Sequence, residues 1–226
     1  MIGETGRDAG QLLADQLSSY ADTDTVVLGL SGRGIVVGHE VAQTLRLPFD
    51  ALIVHRITTA GCQGLAVGVV VEPDHVAVNH RLARTLDLPE GWSDEAVVEG
   101  IREVRRRGTA CRKGRERLTV TGRRAIIVDD AASTGTTLHA AVTAIRNEGA
   151  REIIVAVPVA PRGVIDALSA QADRVVCLAE PAHLIWQGIH YLPAHEVDDA
   201  TMSRLLRQGG DGEALDGASA GSVGAH

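Results

Sequence analysis

The amino-acid sequence predicts an α/β fold built on a doubly wound parallel sheet with a small cap or hood. Three observations predict it. The strand-like segments are continuous runs of branched apolar residues, as in strands buried on both faces. These runs alternate with segments whose apolar residues recur at helical spacing. Residues 26–54 already hold strand, helix and strand, a βαβ unit.

Taken in order, residues 8–20 place Ala9, Leu12, Leu13 and Leu17 at helical spacing. Residues 26–30 read as the first buried strand, Ser31-Gly32-Arg33-Gly34 as a tight turn, and residues 35–45 as a helix. Pro48 separates that helix from a second strand at 51–54. Residues 56–63 are polar and read as a loop that can close over a site. Two short strands, 66–71 and 75–78, flank the turn Glu72-Pro73-Asp74, and 93–111 reads as a helix with Ala96, Val97, Ile101 and Val104 as its stripe. A strand ending at Val128 follows, then a helix containing Leu138, Ala141, Val142 and Ile145 that stops at Gly149. Residues 152–157 and 174–178 are further strands, with a helix at 161–168 that opens on Pro161. Residues 181–195 are irregular and hold Trp186 and Tyr191, and 197–206 is the last helix. The expected organisation is one domain over 1–207, with an inserted segment at about 57–118 and a hood at about 179–206. The Gly-, Ala- and Ser-rich tail at 208–226 is expected to be disordered.

With 226 residues the chain can bury a full core, and aromatics at 2% leave that core to Val, Ile, Leu and Ala. A formal net charge of -7 disfavours nucleic acid as a partner. No apolar run reaches the roughly 18 residues of a membrane span, and residues 1–10 are too polar for a secretory signal, so a cytoplasmic protein is expected. Cys62, Cys111 and Cys177 are too widely spaced for a metal site and read as reduced packing residues.

The chemistry concentrates in Ile126-Ile127-Val128-Asp129-Asp130-Ala131-Ala132-Ser133-Thr134-Gly135-Thr136-Thr137. A strand runs into two carboxylates, then a hydroxyl-rich turn, then a helix start. Unpaired N–H groups and the partial positive charge of a helix N-terminus suit a phosphate. The hydroxyls add donors, and Gly135 permits close backbone approach. Asp129 and Asp130 can accept from a pair of sugar hydroxyls. A phosphate site beside a diol site describes a phosphorylated ribose. The magnesium-binding strand of a P-loop NTPase is excluded, because the chain has no Gly-x-x-x-x-Gly-Lys-Ser/Thr segment. A receiver-domain acid pocket normally lies near a domain start, and this pair does not.

This run resembles the phosphoribosyl-pyrophosphate (PRPP) motif of the type I phosphoribosyltransferases. The resemblance implies that Asp129 and Asp130 hold the ribose hydroxyls and carry catalysis. It implies that Ser133, Thr134, Gly135, Thr136 and Thr137 hold the 5′-phosphate. Gly32-x-Gly34-x-x-x-Gly38 also approaches a dinucleotide fingerprint, but that fold wants an acid after the second strand, where this chain has His55-Arg56. The first turn is similar instead to the Arg-Gly turn of adenine-type phosphoribosyltransferases. The resemblance implies that Ser31, Gly32, Arg33 and Gly34 hold pyrophosphate, often through a cis peptide, with Arg56 as a further contact.

The layout looks closest to a bacterial and archaeal group of small, mostly uncharacterised phosphoribosyltransferases. That group usually shows Pro-Arg-Gly-Gly at the first turn and Arg-Lys at the second strand end, so this chain has a shifted arginine and lacks the lysine. Ser133 stands where 6-oxopurine enzymes carry an Asp, and a neutral hydroxyl cannot do that proton work. Trp186 can stack on a base or plug the hood. The basic run from Arg102 to Arg117 reads as a solvated face paired with local acids.

The expected activity is magnesium-dependent transfer of a 5-phosphoribosyl group between PRPP and a nitrogenous base, with Mg2+ arriving with PRPP and no residue assigned to the metal. The alternative is a PRPP- or nucleotide-binding regulator with weak catalysis. The expected partners are PRPP and a base, a second copy of the chain in a homodimer, and neither membrane nor nucleic acid.

Overall fold

The computed structural model describes residues 5–59, 66–89, 91–182 and 197–209. Helix α1 (Gly6–Gln16) opens with a capping box between Thr5 and Asp8 and is followed by a 3-10 turn, Ser18–Tyr20. The next elements are β1 (Thr25–Leu30), α2 (Gly34–Leu45), β2 (Phe49–Leu52), β3 (Val54–Thr58), β4 (Ala66–Val71) and β5 (His75–Val78). Helices α3 (His80–Thr85) and α4 (Trp92–Arg112) lead to β6 (Arg124–Val128). The chain closes with α5 (Thr136–Asn147), β7 (Glu152–Val159), α6 (Arg162–Ser169), β8 (Arg174–Ala179) and α7 (Asp199–Gly209).

Five strands form a parallel sheet in the order β2-β1-β6-β7-β8. Successive residues face opposite cores, as the pleat requires. Val27, Ile126, Val128 and Ile154 enter one core with α1, α2 and α7. Val26, Leu28, Ile127 and Val155 enter the other with α5 and α6. Two buried faces explain why these strands read as unbroken apolar runs. The strand order reverses between β1 and β6, and this switch point is where a doubly wound sheet opens a crevice.

The second strand departs from the sequence reading. It ends at Leu52, and the segment expected as a polar loop begins as β3, which belongs to a separate antiparallel sheet, β3-β4-β5. Ser31 makes the division. Its backbone N–H donates to Leu52 O, while its hydroxyl accepts from Val54 N at 2.9 Å and reaches Val54 O at 3.3 Å. The main ladder stops there, and Arg56 lies within the small sheet rather than at the end of β2. Helix α3 was also unanticipated, although Asn79 marks its start by accepting from Leu82 N. The hood lies partly outside the described residues, and Trp186, Tyr191, Cys62 and the tail from 210 lie wholly outside them. No described helix is long and apolar enough to cross a membrane. Burial pushes the Cys111 thiol up to about 11, which suits a packing residue.

The basic run of α4 is paired with acids, but its key member is buried. Arg112 donates through Nε to Asp50 at 3.1 Å, through both terminal nitrogens to Glu72 at 2.7 and 2.9 Å, and to Ala51 O at 2.8 Å. Asp50, fully buried in β2, also accepts from Ala51 N and Leu118 N. One guanidinium thereby joins the main sheet, α4 and the end of β4. Removing one partner of a buried ion pair leaves an uncompensated charge. Arg112→Met is therefore expected to lose about 3–5 kcal/mol in urea unfolding. Arg102→Ala, which breaks an exposed pair with Glu99, is expected to change stability by less than about 0.5 kcal/mol.

Candidate functional site

Strands β1 and β6 are neighbours, with Gly29 opposite Val128, so their carboxyl ends deliver two turns to the switch point. A cavity of about 360 Å3 lies there. Its walls include Ser31, Gly32 and Arg33 from the first turn, Asp129 and Asp130 from the end of β6, and residues 131–137 ahead of and into α5. Arg56 reaches it from β3, and Leu30, Val54 and Leu138 supply apolar surface. The structure thus brings together all the residues singled out from the sequence except Gly34, which is absent from the wall, and Trp186, which lies outside the described residues. Val54 was not foreseen as a wall residue, because it read as the end of a core strand.

Gly34 has a different task. A Cβ there would stand 2.7 Å from Asp129 Oδ1 and 2.9 Å from Asp129 Cα. Glycine at 34 lets the start of α2 touch the end of β6. Gly135 caps α5 with φ +74°, and a Cβ there would meet Val164 Cγ1 at 2.9 Å. It gives the helix no side-chain cap, so the first turn of α5 faces the cavity with backbone and threonine donors. Thr134 and Thr136 share a hydrogen bond at 3.0 Å.

One expectation about the first turn changes, and two of its side chains already have partners. The only cis peptide among the described residues is Glu72–Pro73, so the turn at 31–34 is trans throughout. The Ser31 hydroxyl is engaged by Val54. Arg33 is held by the acid pair, its Nε donating to Asp130 Oδ2 at 2.8 Å.

The acid pair is electrostatically uneven. Burial pushes the Asp129 carboxyl well above the usual carboxylate range, and the neighbouring Asp130 charge and hydrogen bond add to the rise. Arg56 and the hydrogen bond from Asp130 N to Asp129 Oδ1, 2.9 Å long, oppose it without reversing it. Among the described residues no group of three or more His, Cys, Asp or Glu could hold a metal ion.

The phosphoribosyl transferase domain family matches residues 2–195. The crystal structure of TT1426 from Thermus thermophilus superposes with a TM-score of 0.74 at 30% identity, covering 92% of this chain and 99% of that one. A protein recorded in two strains of Mycobacterium tuberculosis, provisionally named a phosphoribosyl transferase, is 34% identical over 215 residues. That match covers 93% of this chain and 48% of the relative, so the chain spans about half the length of the curated relatives it matches.

The raised Asp129 has a consequence for stability. The folded chain binds that proton more tightly than the unfolded chain. The contribution is therefore complete below the unfolded value of about 3.9 and is lost as pH rises through the raised value. Asp129→Asn is expected to gain stability relative to wild type as pH increases from about 4, measured by urea unfolding at a series of pH values. A pH-independent difference would mean that Asp129 titrates like a solvated carboxylate.

Proposed function

The chain belongs to the phosphoribosyl transferase domain family, and from that premise we propose that it transfers a 5-phosphoribosyl group between PRPP and a nitrogenous base, with pyrophosphate as the other product. The observation that carries this reading is the convergence, in one cavity, of an acid pair, a glycine-capped helix start and two arginines from separate elements. The cavity thus presents an anion cradle, diol acceptors and cations, which are the three chemistries that PRPP requires.

In this reading the helix start at 133–137 anchors the 5′-phosphate, using backbone N–H groups and the threonine hydroxyls. Asp129 and Asp130 accept from the ribose hydroxyls and fix the ring. Arg33 and Arg56 draw the pyrophosphate away from the anomeric carbon, while the base attacks the opposite face. The C–O bond to pyrophosphate breaks, the C–N bond forms, the proton of the attacking N–H passes to solvent, and positive charge passes through the ribose beside the acid pair. No covalent enzyme intermediate is needed, so orientation and fixed charge supply the rate. Ser133 lacks a charge with which to serve a base as acid or general base, which disfavours a 6-oxopurine acceptor.

The residues fit magnesium. Two adjacent carboxylates on a cavity wall, without a third protein ligand among the described residues, match an ion that keeps water and completes its shell with substrate oxygens. Asp129 and Asp130 would hold it. When bound, it offsets the charge of the leaving pyrophosphate. A homodimer is the assembly that the family resemblance implies, measurable by light scattering.

The second reading, a PRPP-binding regulator with weak turnover, draws on the engagement of Arg33 by Asp130. Magnesium-dependent pyrophosphate release from PRPP with a panel of bases separates the two. Release with one base supports transfer, whereas binding without release supports the regulator.

Two sets of variants test the site itself. Asp129→Asn with Asp130→Asn is expected to weaken PRPP by about a hundredfold or more in calorimetric titration while leaving the circular dichroism spectrum unchanged. Unaltered affinity in the folded double variant would remove the acid pair from the ribose. Gly135→Val places a branched residue at positive φ in the cradle and is expected to abolish binding of both ribose 5-phosphate and PRPP. Normal binding of either would place the phosphate elsewhere.

A further inference from the structure

Arg33 and Asp130 are 97 residues apart in sequence and come from turns of different strands, yet each is the other's partner at 2.8 Å. Their side chains are only 33% and 13% exposed. The proposed function gives Arg33 to pyrophosphate and Asp130 to the ribose. Resting on that reading, we propose that the Arg33–Asp130 pair is a latch across the site. Arg33 thereby becomes a specificity-determining residue that favours a ribose carrying a diphosphate over a ribose monophosphate.

A half-buried, charge-assisted hydrogen bond is given up readily only when both partners find replacements. Ribose 5-phosphate or a nucleoside monophosphate offers hydroxyl donors to Asp130 and nothing to Arg33. Inorganic pyrophosphate offers anionic oxygens to Arg33 and nothing to Asp130. PRPP carries both groups and can replace the contact that each side chain gives up.

The two ends of the latch differ in freedom. Asp130 is fixed through its backbone, whose N–H donates to Asp129 Oδ1. Arg33 follows Gly32, which has φ +109° and no heavy atom within 4 Å of where its Cβ would stand. Arg33 also makes no side-chain cap to α2. The arginine is therefore the arm that swings. Once pyrophosphate departs, the guanidinium returns to Asp130 and competes with the hydroxyls of the nucleotide product, which favours product release.

The test is calorimetric titration of PRPP, ribose 5-phosphate and inorganic pyrophosphate, each without magnesium so that no cation engages the acid pair, against wild type, Arg33→Ala, Asp130→Asn and the double variant. Arg33→Ala is expected to weaken PRPP and pyrophosphate by about 10- to 150-fold. It is expected to tighten ribose 5-phosphate several-fold. The sign of that second effect is diagnostic, because loss of a positive charge by itself weakens an anionic ligand.

Asp130→Asn supplies the mirror measurement, and it serves alone if Arg33→Ala fails to fold. Pyrophosphate alone is expected to bind several-fold more tightly to it. That gain is expected to vanish in the double variant. Unchanged or weakened ribose 5-phosphate binding in Arg33→Ala, with PRPP still weakened, would overturn the latch and leave the PRPP reading standing. An equal pyrophosphate gain in the Arg33→Ala background would also overturn it. Wild-type protein that binds neither PRPP nor ribose 5-phosphate would overturn the proposed function, and the latch with it.

Discussion

The site depends on the absence of a side chain at residue 34. Two strands side by side place their ends within reach of one another, but a functional pair of turns must come closer still. The first residue of α2 lies against Asp129 itself, where any Cβ would collide with both the carboxylate and the backbone. The same economy continues beneath the turn. A Cβ on Gly38 would stand 2.9 Å from Gly29 Cα, and one on Gly29 would stand 2.8 Å from Ile35 Cα. Glycines from strand and helix let α2 settle onto β1, and this depth brings Arg33 to Asp130. The spacing of Gly32, Gly34 and Gly38, close to a dinucleotide fingerprint, thus records helix–strand packing at 34 and 38 and an open turn at 32.

Much of this was legible in the sequence. Strands buried on both faces announce themselves as apolar runs, and the parallel β1, β6 and β7 and the antiparallel β4 were each visible in that way. The acid pair, the hydroxyl turn and Gly135 were legible because strand, turn and helix start are contiguous there, so their chemistry needs no knowledge of the fold. Features that arise between distant segments were less visible. Nothing local in residues 51–58 says that the Ser31 hydroxyl will capture Val54 and turn one expected strand into the edges of two sheets. The pairing of Arg33 with Asp130 is hidden for the same reason, since it exists only once β1 and β6 are neighbours. Asn79 did carry a local signal, a cap three residues before Leu82, but α3 is too short for an apolar stripe to confirm it.

The basic run of α4 shows how charge in a sequence misleads about burial. Its spacing with nearby acids suits a solvated face, and Arg102 and Arg106 behave in that way. Arg112, in the last turn, is buried against Asp50 and Glu72, residues 62 and 40 positions away. An acid inside a strand is the residue type least expected in a core. Asp50 is tolerated because backbone N–H groups and guanidinium nitrogens occupy its oxygens.

That buried fork also sets how the protein breathes. A planar guanidinium gripping two carboxylates and a carbonyl has one good orientation. The antiparallel layer that carries Arg56 is consequently tied to the parent sheet through Arg112, which holds Glu72 and Asp50 at once. Amide protons of β2 and the end of β4 are therefore expected to exchange with solvent through the same opening event, although they belong to different sheets, as native-state hydrogen exchange would show.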